Sequence, residues 1–379
     1  MRSPLRANSM DREKPVLIAA ASGRALAAGA RRAGYVPLVA DGFGDEDTLA
    51  DAARHVRVDF ARPIDGDRLM SALQTLADGC DCAGIVCGSG FEDRVDLLGN
   101  IETRWPLLGN PPDTIARVKD PLDFAATCQV AKIPHPETSL VPPGDLTGWL
   151  IKRIGGAGGW HVASANTSEA RKDVYFQRRV RGQPISAMLL GDGRGALVLG
   201  FSAQWTAPTP RYPFRYGGAV RPAPLRTDVK QAMIDAVGRL IAIMPLVGLN
   251  SADFIVDGDA IQLLEVNPRP GATFDLFEPE AGSLFALHVD ACRGTLPTSV
   301  PSYRGAMAGA IIYAKRDMAA APALDWPEWT ADRPPAGTRI ENEQPVCSVL
   351  ARGETAAEAR QLVEQRSANV NALFDPGIQ

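Results

Sequence analysis

The stretch Leu263-Leu264-Glu265-Val266-Asn267-Pro268-Arg269-Pro270-Gly271 constrains this chain more than any other. It reads as a hydrophobic strand that stops at Pro268, because proline cannot donate to a sheet ladder. Side chains alternate along a strand, so Glu265 and Asn267 project from one face. Two oxygen donors beside a cation suit magnesium bridging a nucleotide triphosphate. Arg269 is then placed to hold a phosphate or a developing oxyanion. The competing reading is a strand ending at a proline turn with Glu265 solvated. The rest of the chain decides between the two.

With 379 residues the chain exceeds the size that one hydrophobic core serves, so two or three domains are expected. Lys and Arg number 40 against 44 Asp and Glu, for a net charge of -4. That balance argues against a nucleic-acid partner. No apolar run reaches membrane-spanning length, so no membrane partner is expected. Cys80, Cys82, Cys87, Cys128, Cys292 and Cys347 lack zinc-pair spacing and read as buried reduced thiols. A reducing cytoplasm fits the absence of a secretory pattern. Residues 1–10 are polar and read as a disordered lead-in.

Residues 11–112 alternate strands with helices, the pattern of a parallel sheet covered on both faces. Strands are expected at Pro15–Ala21, Tyr35–Asp41, His55–Asp59 and Cys82–Gly88, with helices at Ala25–Ala33, Asp65–Asp78 and Asp93–Ile101. Ligands bind at the carboxyl ends of such strands. Two loops lie there. Ala21-Ser22-Gly23-Arg24 lacks the full glycine pattern of a dinucleotide loop, whereas Ser89, Gly90 and Glu92 are candidates for substrate contact.

Pro111-Pro112 marks a boundary, and the pattern then turns to helix over Asp113–Val130. Hairpins with helices on one side follow, which predicts α+β folding. Trp149–Ile154 is a strand that carries Lys152, and Gly155-Gly156-Ala157-Gly158-Gly159 follows at once. Glycines let a backbone close over phosphates and aim its N–H groups at them. The spacing is not that of a P-loop, and a phosphate lid is the expectation. Lys119 and Lys152 are candidate phosphate contacts as point charges.

Asp253 depends on turn geometry. A three-residue turn at Gly258-Asp259-Ala260 sets Asp253 opposite Glu265, on one face. A two- or four-residue turn puts Leu264 there instead. Asp253, Glu265 and Asn267 together would hold one or two magnesium ions. Between Ala207 and Pro224 lies a long proline-rich stretch with Arg211, Arg215, Tyr216, Gly217 and Arg221, read as a substrate loop. His161 is a lone histidine whose ordinary role is structural. The tail adds strand-like segments and a helix over Thr355–Phe374 that opens on the capping box Thr355-Ala356-Ala357-Glu358.

In order, these parts resemble the ATP-grasp superfamily. The likeness rests on Lys119 with Ile133-Pro134-His135-Pro136, and on Lys152 with its glycine loop. It continues through Gln177-Arg178-Arg179-Val180-Arg181-Gly182, Asp253-Phe254 and Leu264-Glu265-Val266-Asn267-Pro268-Arg269. Pro268-Arg269-Pro270-Gly271-Ala272-Thr273-Phe274-Asp275 is similar to predicted carboligases of methanogens and methylotrophs. The resemblance implies an ATP-grasp fold. It divides into a Rossmann-like domain (11–112), a small subdomain with the lid (113–182), a large subdomain (183–295) and a C-terminal α/β segment (296–379). It implies ATP and Mg2+ as cofactors, with Gln177, Arg178, Arg179 and Val180 around the adenine. It implies Asp253, Glu265 and Asn267 as metal ligands, and Arg269 with Arg215 in catalysis. The implied reaction joins a small-molecule carboxylate to an amine through an acyl phosphate, in one-carbon cofactor assembly (methanopterin or methylofuran). A biotin-carboxylase-like carboxylase and a non-catalytic nucleotide-binding regulator are the alternatives. A homodimer is the implied assembly. Two departures stand out: Gly182-Gln183-Pro184 lacks the acid that many members use for ribose, and Ser251 stands where relatives often carry arginine.

Overall fold

The computed structural model describes residues 13–60, 63–165 and 171–374. The lead-in expected over residues 1–10 lies outside them.

Four parallel strands open the chain: β1 (Pro15–Ala20), β2 (Val36–Asp41), β3 (Arg54–Arg57) and β4 (Ile85–Cys87), in the order β3-β2-β1-β4. Helices α1 (Arg24–Arg32), α2 (Glu46–Asp51), α3 (Gly66–Ala77) and α4 (Val95–Glu102) cover this sheet. The alternation of apolar strands with helices is as the sequence reads. The expected continuous helix over Asp113–Val130 is instead two, α5 (Pro112–Lys119) and α6 (Pro121–Val130). Pro121 has no N–H to continue the first helix, and Asp120 turns to cap the second through Leu122 and Asp123 N–H. Lys119 is thereby left at the end of α5.

A second sheet of four antiparallel-paired strands follows. It comprises β5 (Thr138–Ser139), β6 (Trp149–Arg153), β7 (Val162–Ser164) and β8 (Val174–Arg178) in the order β5-β8-β6-β7. The third sheet is antiparallel and has eight strands. It holds β9 (Gln183–Asp192), β10 (Ala196–Thr206), β11 (Tyr216–Arg221), β12 (Val247–Asp257), β13 (Ala260–Asn267), β14 (Ala306–Tyr313), β15 (Thr330–Ala331) and β16 (Pro345–Gly353). The order is β13-β12-β9-β10-β11-β14-β16-β15, so the strands of the C-terminal segment extend the sheet of the large subdomain. Helices α7 (Thr227–Ile243), α8 (Leu284–Cys292) and α9 (Ala356–Phe374) pack on it. Thr355 Oγ accepts from the Glu358 N–H at the start of α9, and the Glu358 carboxylate accepts from Thr355 N–H, completing the capping box.

The β12–β13 hairpin turns through two residues, Gly258 and Asp259, since Asp257 pairs with Ala260. That register alone would oppose Leu264 to Asp253. A β-bulge intervenes: Phe254 pairs with Leu263, but Asp253 pairs with Glu265, leaving Leu264 as the extra residue. The bulge changes the phase of the strand. Before it Ile261 and Leu263 face the core, and after it Val266 does. Glu265 and Asn267 therefore face the same side as Ser251, Asp253 and Ile255 of β12. The expected pairing is present, produced by a bulge rather than by a three-residue turn.

Beneath this hairpin Ala252, Phe254, Val256, Leu263 and Val266 pack with Val229, Met233 and Val237 of α7. Another core joins the first domain to the large sheet: Ile18, Leu26 and Tyr35 pack with Leu190, Leu249, Phe274, Phe277 and Phe285. Phe254 is 1% exposed and supports the hairpin from below. Phe254→Ala is expected to cost about 3–5 kcal/mol of stability in urea denaturation.

Candidate functional site

A cavity of about 850 Å³ runs between the three sheets. Lys152, Ala157, Gly158, Gly159, Gln177, Arg178, Arg179, Val180, Asp253, Glu265, Asn267, Arg269 and Tyr216 all line it, together with Ser89 and Gly90 of the first domain. Residues far apart in sequence thus share one wall.

At its centre are two half-buried carboxylates, Asp253 and Glu265. Asp253 Oδ1 accepts from Ser186 Oγ at 2.6 Å, and its Oδ2 accepts from Asn267 Nδ2 at 2.9 Å. Lys119 Nζ donates to Asn267 Oδ1 at 3.1 Å. Burial, then the Glu265 charge across the hairpin, pushes Asp253 up to about 6. Burial also pushes Glu265 up. Lys119 and Lys152, helped by His161 and Arg269, outweigh that push and hold it below its ordinary value. Lys152 is 5% exposed; burial drives it down, and Glu265 partly restores it.

Two carboxylates and one amide oxygen form a donor set that fits magnesium, which takes one or two carboxylates and completes its shell with phosphate and water, while the two lysines stand beside it as charges for phosphate. Among the described residues no cluster of three or more His, Cys, Asp or Glu could hold a metal without such help. Ser186 was not legible as a partner of Asp253, because its strand pairs with β12 only once the sheet order is known.

The glycine loop closes one side. Gly158 carbonyl accepts from Tyr216 N–H at 2.9 Å. Gly159 has φ of 73°, and a Cβ there would lie 1.9 Å from Phe214 carbonyl oxygen, so only glycine permits this approach. Ala157, Gly158 and Gly159 border the main cavity, whereas Gly155 and Gly156 border a small adjoining one with Lys119 and Glu265. His161 Nδ1 lies 3.3 Å from Ala157 carbonyl oxygen, and burial pushes this imidazole down to about 4. It is a neutral, loop-shaping group at neutral pH.

In the segment leaving β8, the Arg179 N–H donates to Gly148 carbonyl, and Gln177 Nε2 lies 3.4 Å from Leu264 carbonyl oxygen. The Arg178 guanidinium donates to Thr147 carbonyl and stands over the Trp149 ring. Leu150, Val162, Ile255 and Leu264 supply apolar wall nearby.

Several residues lie elsewhere than a substrate role requires. Arg215 does not border the cavity. Its guanidinium donates to Ala207 and Glu343 carbonyls at 3.0 Å and stacks 3.7 Å from the Tyr313 ring centroid, so it braces the 207–216 loop from behind. Gly217 is the extra residue of a bulge, where Thr206 pairs with Tyr216 and Trp205 with Gly218. A Cβ on Gly217 would lie 2.8 Å from Ala207 N, so this glycine serves packing. Arg221 donates to Leu276 and Gly305 carbonyls, and Arg211 is exposed over the Tyr212 ring.

Glu92 pairs with Arg269, Nε to Oε1 2.5 Å, and its other oxygen accepts from Gly90 N–H. Both side chains are largely covered, Arg269 13% and Glu92 3% exposed. Burial pushes Glu92 up, but Arg269 and Lys119 outweigh it and hold the carboxyl at about 2. This pair joins the first domain to the end of β13.

With this geometry in hand, comparison with known proteins is decisive at the level of the domain. Residues 123–273 match the ATP-grasp domain. That stretch takes in less than half of the chain, and over it the chain is similar to this family. Members of this family are ligases that use ATP with Mg2+. Among curated proteins the chain is similar to the carbamoyl phosphate synthase large chain of Myxococcus xanthus, 24% identical over 204 residues. That match takes in 48% of this chain and 19% of the relative, so the chain spans about a fifth of that protein. Among solved structures, the biotin carboxylase domain of Hydrogenobacter thermophilus 2-oxoglutarate carboxylase, complexed with MgADP, ADP and bicarbonate, aligns with a TM-score of 0.73 at 13% identity. It covers 93% of this chain and 89% of that one. The L-amino acid ligase of Bacillus licheniformis aligns with a TM-score of 0.71 at 14% identity, covering 93% and 97%. At these identities the likeness establishes the fold: an ATP-grasp fold with a Rossmann-like N-terminal domain. Among the described residues no helix is long and apolar enough to cross a membrane.

Three outcomes follow from the charges. Asp253 must ionise to hold a divalent cation, and its raised value means that it is protonated below about 6. Apparent Mg2+ affinity in MgADP titrations is expected to fall about tenfold per pH unit below that point. Glu92 is held at about 2 against an ordinary 4.5, so its stabilisation is complete above 4.5 and is lost as pH falls towards 2. Glu92→Gln strands the Arg269 charge under cover, and urea denaturation is expected to show a loss of about 3–5 kcal/mol.

Proposed function

We propose that the protein is an ATP-dependent carboxylate–amine ligase. The observation that carries this reading is the bulged hairpin. It turns Asp253, Glu265 and Asn267 towards one cavity that also holds Lys152 and the glycine loop, with Lys119 on Asn267. In this reading Asp253, Glu265 and Asn267 hold magnesium, which supplies positive charge to the nucleotide phosphates. Lys119 and Lys152 contact the same phosphates as point charges. Ala157, Gly158 and Gly159 cover them and exclude water. The segment Gln177 to Val180 borders the adenine. Because Arg179 N–H is already bonded to Gly148, recognition by the main chain falls to Val180 and to the carbonyls beside it.

The reaction proceeds in two displacements. An oxygen of the substrate carboxylate attacks the γ-phosphorus, and the bond to the β-bridging oxygen breaks as ADP leaves. The amine nitrogen then attacks the acyl carbon, phosphate departs with the bonding pair, and the nitrogen loses a proton. Arg269, fixed by Glu92, faces the phosphate end of the cavity and stabilises negative charge that develops there. We assign Arg215 to holding the loop that carries Tyr216, and not to contact with reacting atoms. Ser89, Gly90 and Tyr216 border the space left for the carboxylate and amine.

The L-amino acid ligase fold likeness and the complete donor set support a turning-over enzyme over a regulator. The finer placing, amide or glutamyl ligation in the assembly of a one-carbon cofactor such as methanopterin or methylofuran, rests on the segment Pro268–Asp275 alone.

ADP formation across pooled carboxylic acids and amines tests the reading, with hydroxylamine added to trap an acyl phosphate as its hydroxamate. Turnover is expected only when both an acid and an amine are present, and Glu265→Ala is expected to lower it at least about 100-fold, the scale of losing a preorganised electrostatic group. ADP release that requires bicarbonate and no amine would replace this reading by a carboxylase. Nucleotide binding with no ADP release from any pool would replace it by a regulator.

A further inference from the structure

The cavity extends well past the Asp253–Glu265 pair. Its far wall belongs to the first domain, the turn Phe274–Phe277 after β13 and the C-terminal strands, where Ser22, Arg24, Phe43, Asp45, Asp275 and Asp332 line it. Asp47 adjoins this group. Four carboxylates (Asp45, Asp47, Asp275 and Asp332) thus surround one guanidinium.

Their bonding is unequal. Arg24 donates to both oxygens of Asp275, at 2.8 and 2.6 Å, and to Asp332 at 3.0 Å. Asp332 also accepts from Ser22 Oγ at 3.3 Å, and its own backbone is held at φ of 55°. Asp47 accepts from the N–H groups of Asp332 and Arg333 at 2.8 and 3.1 Å. Behind them Asp41 accepts from Gly23 and Gly44 N–H and lies 2.8 Å from His55 Nε2. Asp45 differs from all of these. It is 4% exposed and borders the cavity, yet it makes no cap bond to α2, and its carboxyl has no hydrogen-bond partner among the described residues. Burial, then Asp332, Asp47 and Asp41, pushes its carboxyl up to about 8.

The Asp45 oxygens open onto the cavity, so a group bound there can supply the donor that the protein does not. The charges of Asp332, Asp47 and Asp41 around it favour a cation at this place. Arg24 is fully engaged by Asp275 and Asp332, and the Arg333 guanidinium turns to Thr330 carbonyl. A divalent metal finds too few free oxygens, since Asp275 and Asp332 are taken by Arg24 and Asp47 by the Asp332 and Arg333 N–H groups. An ammonium group carries one charge and donates without needing a full coordination shell. Phe43 and Phe60 border the same end and offer ring faces and apolar contact to what the ammonium is attached to.

We propose that this end of the cavity is a subsite for the ammonium group of the small-molecule amine substrate, with Asp45 as its direct acceptor. The assignment rests on the ligase reading. Asp275 and Asp332 hold Arg24 away from Asp45, and Asp47 ties the 330–333 turn to α2, so three chain regions shape one pocket.

The full chain is titrated calorimetrically just above pH 8, where Asp45 is ionised and the amine still carries its charge, with benzylammonium chloride and, separately, with its neutral isostere benzyl alcohol. Wild-type protein is expected to prefer the cation by roughly tenfold or more, the value of one charge-assisted hydrogen bond. In Asp45→Asn the preference is expected to disappear while MgADP binding stays unchanged. That variant removes no internal hydrogen bond, so its melting temperature is expected not to fall. Equal binding of the two probes by wild-type protein overturns the assignment without any variant, and so does a preference that survives Asp45→Asn. MgADP is titrated on its own: failure to bind it overturns the ligase reading and this assignment with it. Binding of MgADP without cation preference overturns the subsite alone.

Discussion

Placing two carboxylates side by side under protein cover is the demand that the rest of the site answers. Asp253 and Glu265 oppose one another across a hairpin, and each is half-buried in the cavity wall. Like charges so placed repel, and burial adds to the penalty. Lys119 and Lys152 supply the compensation from two separate elements, the end of α5 and the middle of β6. Ser186 and Asn267 supply the hydrogen bonds. The small subdomain, the large sheet and the hairpin are thus tied to one electrostatic centre. Asp253 remains the group that yields, its carboxyl raised while that of Glu265 is depressed.

The first domain is brought to this centre by apolar packing and by a buried ion pair. The shared core of Ile18, Leu26, Phe274 and Phe285 seats its sheet against the large one. Glu92 then reaches Arg269 at the end of β13. A buried pair of this kind adds little net stability over an apolar pair, but it fixes orientation. Here it sets the angle of an arginine that borders the cavity next to Asn267.

Much of this was legible in the sequence. The alternation of strand and helix in residues 11–112, the proline stop after Asn267 and the capping box at Thr355 are local signals with local causes. The grouping of Glu265 and Asn267 on one face follows from strand periodicity alone. Asp253 was harder. Its partner depends on whether the turn and strand carry an odd residue, and the bulge at Leu264 has no composition cue. Arg215 shows the opposite limit. An arginine in a proline-rich loop reads as a substrate contact, yet burial against Tyr313 and Trp160 turns it inward. Glu92 and Arg269 were both singled out, but their mutual pairing needs the relative placement of two domains. The Arg24–Asp275–Asp332 cluster joins residues more than 250 positions apart, beyond any pattern of spacing.

The sheet order has a mechanical consequence. Because β14, β15 and β16 continue the same ladder as β9 to β13, the large subdomain and the chain's end form one stiff slab. The four-stranded sheet of β5 to β8 shares no ladder with it and meets it through contacts such as Gly158 carbonyl to Tyr216 N–H. Admission of a nucleotide as large as ATP therefore falls to that small sheet, swinging as a jaw against a fixed anvil. The latch between jaw and anvil is Tyr216 N–H on Gly158 carbonyl together with Trp160 packed on Tyr212 and Tyr313, and it sets how readily the mouth opens.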